Sequence, residues 1–174
     1  MRKSLLALLV VAGVPPALGL EPGWHYSPLP GEGDRASLGC DRDADAATYT
    51  CLVVRCEDDF STGIHVHTSR PDAAGRWEMT IDRENLEFEA VADAGPYTAR
   101  LAGDTAPLLE RLRQGSFVYL RPAHAAADAF AFIDLTGSLR AIEAALYWCA
   151  PRVSPPERNA ASGVDPTTSN GDLR

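Results

Sequence analysis

One lysine, Lys3, stands in the whole 174-residue chain. Beyond it no lysine exists to form a Schiff base, to act in a Ser–Lys dyad or to hold a phosphate in a P-loop. Positive charge of any kind is scarce: 16 Lys and Arg against 24 Asp and Glu leave a net charge of −8. Such an acidic chain lacks the basic face that grips nucleic acid, and it is not drawn to an anionic membrane surface. Long apolar runs are missing as well. None reaches the roughly 18 residues that a helix needs to cross a bilayer, so no membrane insertion is expected. No C-x2-C pair suggests zinc, and no G-x-S-x-G elbow suggests a hydrolase nucleophile.

The beginning of the chain has a definite pattern. Arg2 and Lys3 precede an apolar stretch from Leu5 to Val14, broken by Pro15-Pro16 and followed by Ala17-Leu18-Gly19. A basic start, a short apolar segment and small residues at the cleavage positions read as a signal peptide over residues 1–19. Its removal takes away Arg2 and Lys3 and shifts the balance from −8 to −10. The remainder divides into a single β-rich domain, 20–150, and a tail, 151–174, rich in Pro, Ser, Thr and Asn, which is expected to be disordered.

Four cysteines remain: Cys40, Cys51, Cys56 and Cys149. In an exported chain an even count reads as two disulfides, with three possible connectivities. Cys51 and Cys56 bracket an apolar run and point to opposite faces of a regular strand, which disfavours their pairing. The preferred arrangement is Cys40–Cys51, closing a loop that carries Asp41, Asp43 and Asp45, and Cys56–Cys149, tying the C-terminal segment to the sheet. The second bridge closes most of the domain and contributes on the order of 4–5 kcal/mol if unstrained. This count leaves no thiol free for catalysis.

Short strands bounded by turn residues are expected at 35–39, 50–56, 63–68, 76–81, 86–91, 97–101, 116–121 and 129–135. Two stretches depart from the β rhythm. Leu108, Leu109 and Leu112 share a helical face over 105–114. Leu139, Ile142, Leu146 and Cys149 form an apolar stripe, with Ser138 as its expected N-cap. Together these predict a small, mostly β, sandwich-like domain of about seven short strands with two short helices, one of them C-terminal, stapled by disulfides. Trp77, Phe88, Phe117, Tyr119, Phe130 and Phe132 are expected in its core. Trp24 and Tyr26 are expected to pin the leader to the body, with a carbohydrate or peptide contact as the alternative, and Tyr147-Trp148 to pack against the neighbouring disulfide.

The strand LVVRC (52–56) and the closing unit FAFIDLTGSLRAIEAALYWC (130–149), an aromatic strand, small-residue turn, helix and cysteine, resemble small exported proteins of proteobacteria. These are the invasion-associated locus B-like family and the periplasmic accessory proteins of type VI secretion. The resemblance covers residues 50–150 and brings no catalytic residue with it. It implies a periplasmic or secreted bacterial protein, not an enzyme, that works through contacts with a protein or cell-envelope partner.

Candidate chemistry is sparse. His65 and His67, at i and i+2 of the strand GIHVHT, project from one face and are candidates to chelate copper or zinc, with His25, His124 or an Asp from 58–59 as a third ligand. The plainer reading makes them partly exposed residues of a surface strand whose Ile64 and Val66 face the core. Glu87 and Glu89 flank Phe88 and Asp58 adjoins Asp59, but both pairs read as solvated carboxylates rather than an acid–base couple.

Overall fold

The computed structural model describes residues 23–26, 35–126 and 129–149. The expected signal peptide and C-terminal tail lie outside them. Nine strands form one antiparallel sheet: β1 (Gly23–His25), β2 (Ala36–Cys40), β3 (Thr50–Cys56), β4 (Thr62–Thr68), β5 (Gly75–Ile81), β6 (Glu84–Ala92), β7 (Ala99–Leu101), β8 (Phe117–Pro122) and β9 (Ala131–Asp134). Helix α1 (Ala106–Gln114) joins β7 to β8, and α2 (Ser138–Ala145) follows β9 and leads into a single 3-10 turn, Tyr147–Cys149.

The mostly β fold with two short helices and two disulfides is therefore present, and its two packed layers are opposite walls of one curved sheet. The strand order is β1-β2-β3-β4-β7-β6-β5-β8-β9. The chain meanders through four strands, crosses over two positions to lay down β5, and returns through β6 and β7 to meet β4. At the far end the sheet curls back until β9 lies against β1 and β2. The Arg42 amide donates to the Phe132 carbonyl at 2.8 Å, and the Phe132 amide donates to Asp41 Oδ1 at 2.9 Å. These bonds satisfy the outward backbone groups of Phe132, so the edge offers no ladder there for another strand.

Inside the curve sits the main core. Leu52, Val54 and Cys56 of β3, Ile64 and Val66 of β4, Trp77, Met79 and Ile81 of β5, Val118 and Leu120 of β8 and Ile133 of β9 all point into it. Leu108 and Leu112 of α1 and Ala141 and Ile142 of α2 close it. Trp77 is fully buried and still satisfies its indole, which donates to the Ala73 carbonyl at 2.8 Å. Trp24 enters this core from β1, as the leader-pinning reading expected, whereas Tyr26 stays 40% exposed. It lies over Gly39, its register partner, where a Cβ would overlap the indole ring. Glycine there is a packing requirement, not a matter of backbone freedom.

Both disulfides form in the preferred pairing, Cys40–Cys51 and Cys56–Cys149. Cys40 stands directly opposite Cys51 in the β2–β3 register. Cys51 belongs to an outer cluster and Cys56 to the main core, the opposite-face placement that disfavoured joining them. The acidic loop between Cys40 and Cys51 is ordered by its own carboxylates. Asp45 accepts the Thr48 and Ala47 amides at 2.7 Å, and these bonds hold its carboxyl below the usual range.

Several expectations are corrected. Ser138 does not cap α2 from outside. Gly137, with φ of 87°, holds the cap position, and Ser138 is the first helical residue and buried. A left-handed turn is needed for the chain to reverse from β9 into the helix, and glycine supplies it without a Cβ penalty. Tyr147 and Trp148, expected over the disulfide, are 70% and 47% exposed. The helix ends at Ala145, and the tighter turn that follows swings both rings outward, edge to face with each other. Phe117, Tyr119, Phe130 and Phe132 do not enter the core. They lie on the outer face of β8 and β9, because the alternate residues Val118, Leu120, Ala131 and Ile133 are the ones turned inward.

Candidate functional site

The outer surface of the sheet carries two unlike regions. Over β2, β3 and β4 it is roofed. Val53 and Leu38 lie under Tyr97, with Tyr49 and Ala44 packed at the margin. His65 and His67 project into this region from β4, while Ile64 and Val66 face the core as expected. The expectation of partial exposure fails for His65, which is 1% exposed. The segment preceding β7 folds across β4, and the Tyr97 ring comes to 5.4 Å from the His65 ring and 5.7 Å from the His67 ring.

Carboxylates sit at both nitrogens of His65. Glu57 Oε1 is 2.8 Å from Nε2. Asp93 Oδ2 is 3.2 Å from Nδ1 but without hydrogen-bond alignment. Glu57 also pairs with Arg55, and Arg100 Nε approaches its Oε1 at 3.6 Å. Arg55 extends the chain of charges to Asp58, which Arg35 holds at 2.7 Å. Glu57 reaches His65 only because position 63 is glycine: a Cβ there would overlap Glu57 Oε1 and stand 2.9 Å from His65 Nε2. The network clasps the 57–61 turn and the 93–98 loop onto the sheet.

His67 occupies a neighbouring but separate niche, 4.9 Å from the Tyr49 ring and with Nδ1 3.4 Å from Thr98 Oγ1. Burial pushes its pKa below the ordinary value of 6.5. Of the expected third metal ligands, Asp58 is engaged with the arginines and Asp59 accepts the Ser61 amide. Among the described residues no group of three or more His, Cys, Asp or Glu is disposed to hold a metal ion.

Over β6, β5, β8 and β9 the same outer surface is bare. Register places Asn85, Thr80, Tyr119 and Phe132 in one row across the four strands. A second row runs Glu87, Glu78 and Arg121, with Phe130 at its end. The aromatic rings form a continuous cluster. Tyr119 packs edge to face on Phe130 at 5.0 Å and lies 5.3 Å from both Phe117 and Phe132. Phe130 is 46% exposed and Tyr119 36% exposed. Arg42 caps the cluster's other side, its guanidinium 4.9 Å from the Phe132 ring.

Between this aromatic wall and the polar side chains of β5 and β6 runs an open groove of about 630 Å³, lined by Glu78, Thr80, Asn85, Glu87, Tyr119, Arg121 and Phe130 among others. That volume falls in the range of small-ligand sites. The region was not expected because Phe117, Tyr119, Phe130 and Phe132 were all assigned to the interior. The signal was present: β8 and β9 are apolar on both faces, and a strand of that kind is either covered on both sides or displays a sticky face. Glu57, Gly63 and Asp93, the partners of the buried histidine, carry no local pattern that marks them.

No protein-family model, curated protein or solved structure matches this chain. Among the described residues no helix is long and apolar enough to cross a membrane.

Proposed function

We propose that the chain is an exported, non-enzymatic binding protein of the bacterial periplasm or exterior that holds a protein or cell-envelope partner on the outer face of β5, β6, β8 and β9. The exposed aromatic cluster of Phe117, Tyr119, Phe130 and Phe132 beside the groove carries this reading. Large aromatic side chains left in water cost free energy that a partner recovers, and aromatic anchors dominate binding surfaces for that reason. Two disulfides and the signal-like start support export, and the resemblance of residues 50–150 to exported accessory proteins points the same way.

The test places a photocrosslinking amino acid at Phe130 in protein expressed with its signal, and at Tyr147, exposed on the 3-10 turn after α2 and off this face, as a control. A discrete adduct from Phe130, displaced by excess unlabelled protein and absent from Tyr147, is the expected result. Equal labelling at both positions, or none at Phe130, overturns the reading.

A second reading, a copper or zinc site on His65 and His67, has one observation in its favour: the two imidazoles do share the outer face of β4. Native mass spectrometry with each metal tests it. A stoichiometric adduct that disappears when both histidines become alanine would put this reading first.

A further inference from the structure

We infer that the groove's occupant is a neutral oligosaccharide. This rests on the reading of the β5-β6-β8-β9 face as a binding surface and gives its ligand a chemistry. On one wall Tyr119 and Phe130, packed edge to face and both part exposed, line the groove with aromatic surface. A pyranose presents a patch of C–H bonds that packs on such a surface as apolar area.

On the other wall the groups are of the kind that bind vicinal hydroxyls. Thr80 Oγ1 donates to Asn85 Oδ1 at 2.8 Å, which leaves the Asn85 Nδ2 donors unengaged among the described residues. Glu78, Glu87 and Arg121 add planar carboxylates and a guanidinium that accept or donate in pairs.

Charge argues for neutrality. Arg121 pairs with Glu78, and Arg76 lies 3.6 Å from Glu87, so the charges at the groove cancel in a chain whose net charge is −8. A polycation or polyanion would have to break those pairs. An extended peptide is also a poor fit. β5, β6 and β8 are each bonded to strands on both sides, and β9 spends the outward backbone groups of Phe132 on Arg42 and Asp41. No backbone edge is left there for strand addition. Recognition has to run through side chains, and these match hydroxyls on one side and C–H faces on the other.

Isotope-labelled protein titrated with maltohexaose, cellohexaose or chitohexaose, each to about 10 mM, reads affinities into the weak millimolar range. At least one sugar is expected to shift the amide resonances of Thr80, Asn85, Tyr119 and Arg121 as a group. Tyr119→Ala is expected to weaken that binding about tenfold or more, equivalent to roughly 1.4 kcal/mol. Tyr147→Ala, an exposed aromatic elsewhere, is expected to leave it unchanged. Silence with all three sugars overturns the inference, as do shifts that survive Tyr119→Ala. Concentration-dependent self-association abolished by Tyr119→Ala overturns it too, by assigning the face to a second copy of the chain. If the sugars are silent while the Phe130 crosslink persists, only the saccharide falls. If both fail, the binding reading falls with it.

Discussion

Two stretches of one sheet surface are treated in opposite ways. Over β2, β3 and β4 the outer face carries a histidine, a glutamate and an arginine, yet it is covered, with His65 at 1% exposure. Over β8 and β9 it carries four aromatic rings, yet it is open, with Phe130 at 46%. Hydrophobicity alone would favour covering both, since the first also holds Leu38, Val53 and Tyr97, but the polar groups of the first have to be satisfied before it can be covered. The first is covered because its polar groups complete one another: Glu57 meets His65 and Arg55, and Asp93 meets the imidazole's other side. Burial of charge is tolerated only under such pairing. Nothing among the described residues covers the aromatic face. The contrast separates a surface spent on holding the fold together from one left available.

The contrast can be broken most severely at Glu57. Glu57→Ala removes one carboxylate partner from a buried imidazole and from the Arg55 guanidinium. It is expected to cost about 3 kcal/mol in denaturant unfolding, the range for removing one member of a buried pair. Gly63→Ala attacks the same clasp sterically, pushing a methyl group into Glu57 Oε1. A loss of about 2 kcal/mol is expected, with faster amide exchange in the 57–61 turn.

A pH titration sharpens the comparison further. Burial holds His67 neutral in the fold, whereas in the unfolded chain it titrates near 6.5. The unfolded state therefore binds more protons as the pH drops. The stabilising contribution is full above about pH 6.5 and is lost as the pH falls through the depressed folded value. Wild type should lose more stability between pH 7.5 and 5.5 than His67→Phe does, a window set by that ordinary pKa of about 6.5. A constant difference between the two would refute this reading of the niche. The smallest effect belongs to the open face: Phe130→Ser should change stability by no more than about 0.5 kcal/mol, as for other exposed positions. A loss comparable to that of Glu57→Ala would mean the ring is part of the core after all.

Much of this was legible in the residues. The alternation in GIHVHT put both histidines on one side and Ile64 and Val66 on the other, and the structure keeps that division. The five-residue separation of Cys51 and Cys56 set them on opposite faces, which disfavoured their pairing, and of the two arrangements left the preferred one is the one that forms. The leucines of 105–114 marked α1, and the stripe from Leu139 marked α2, although Leu139 itself is 48% exposed and the buried face is Ser138, Ala141, Ile142 and Ala145. Other features were invisible because they depend on residues far apart in the chain. Asp93 reaches His65 across 28 positions, through a loop whose path is fixed only once β7 inserts between β4 and β6. For β8 the sequence offered two apolar faces, Phe117 with Tyr119 and Val118 with Leu120, and no local rule chooses between them.

What the sequence by itself determined is which side chains travel together, because a strand's period of two and a helix's period of 3.6 are properties of the backbone. Which of those faces lies inside was decided by the tertiary structure. The curl of the sheet and the two helices closing it leave a space that Val118, Leu120, Ala131 and Ile133 fill, while the larger Phe117, Tyr119, Phe130 and Phe132 are turned out. Close packing in a confined interior selects by volume and shape as well as by hydrophobicity, and the volume exists only when the whole chain has closed around it.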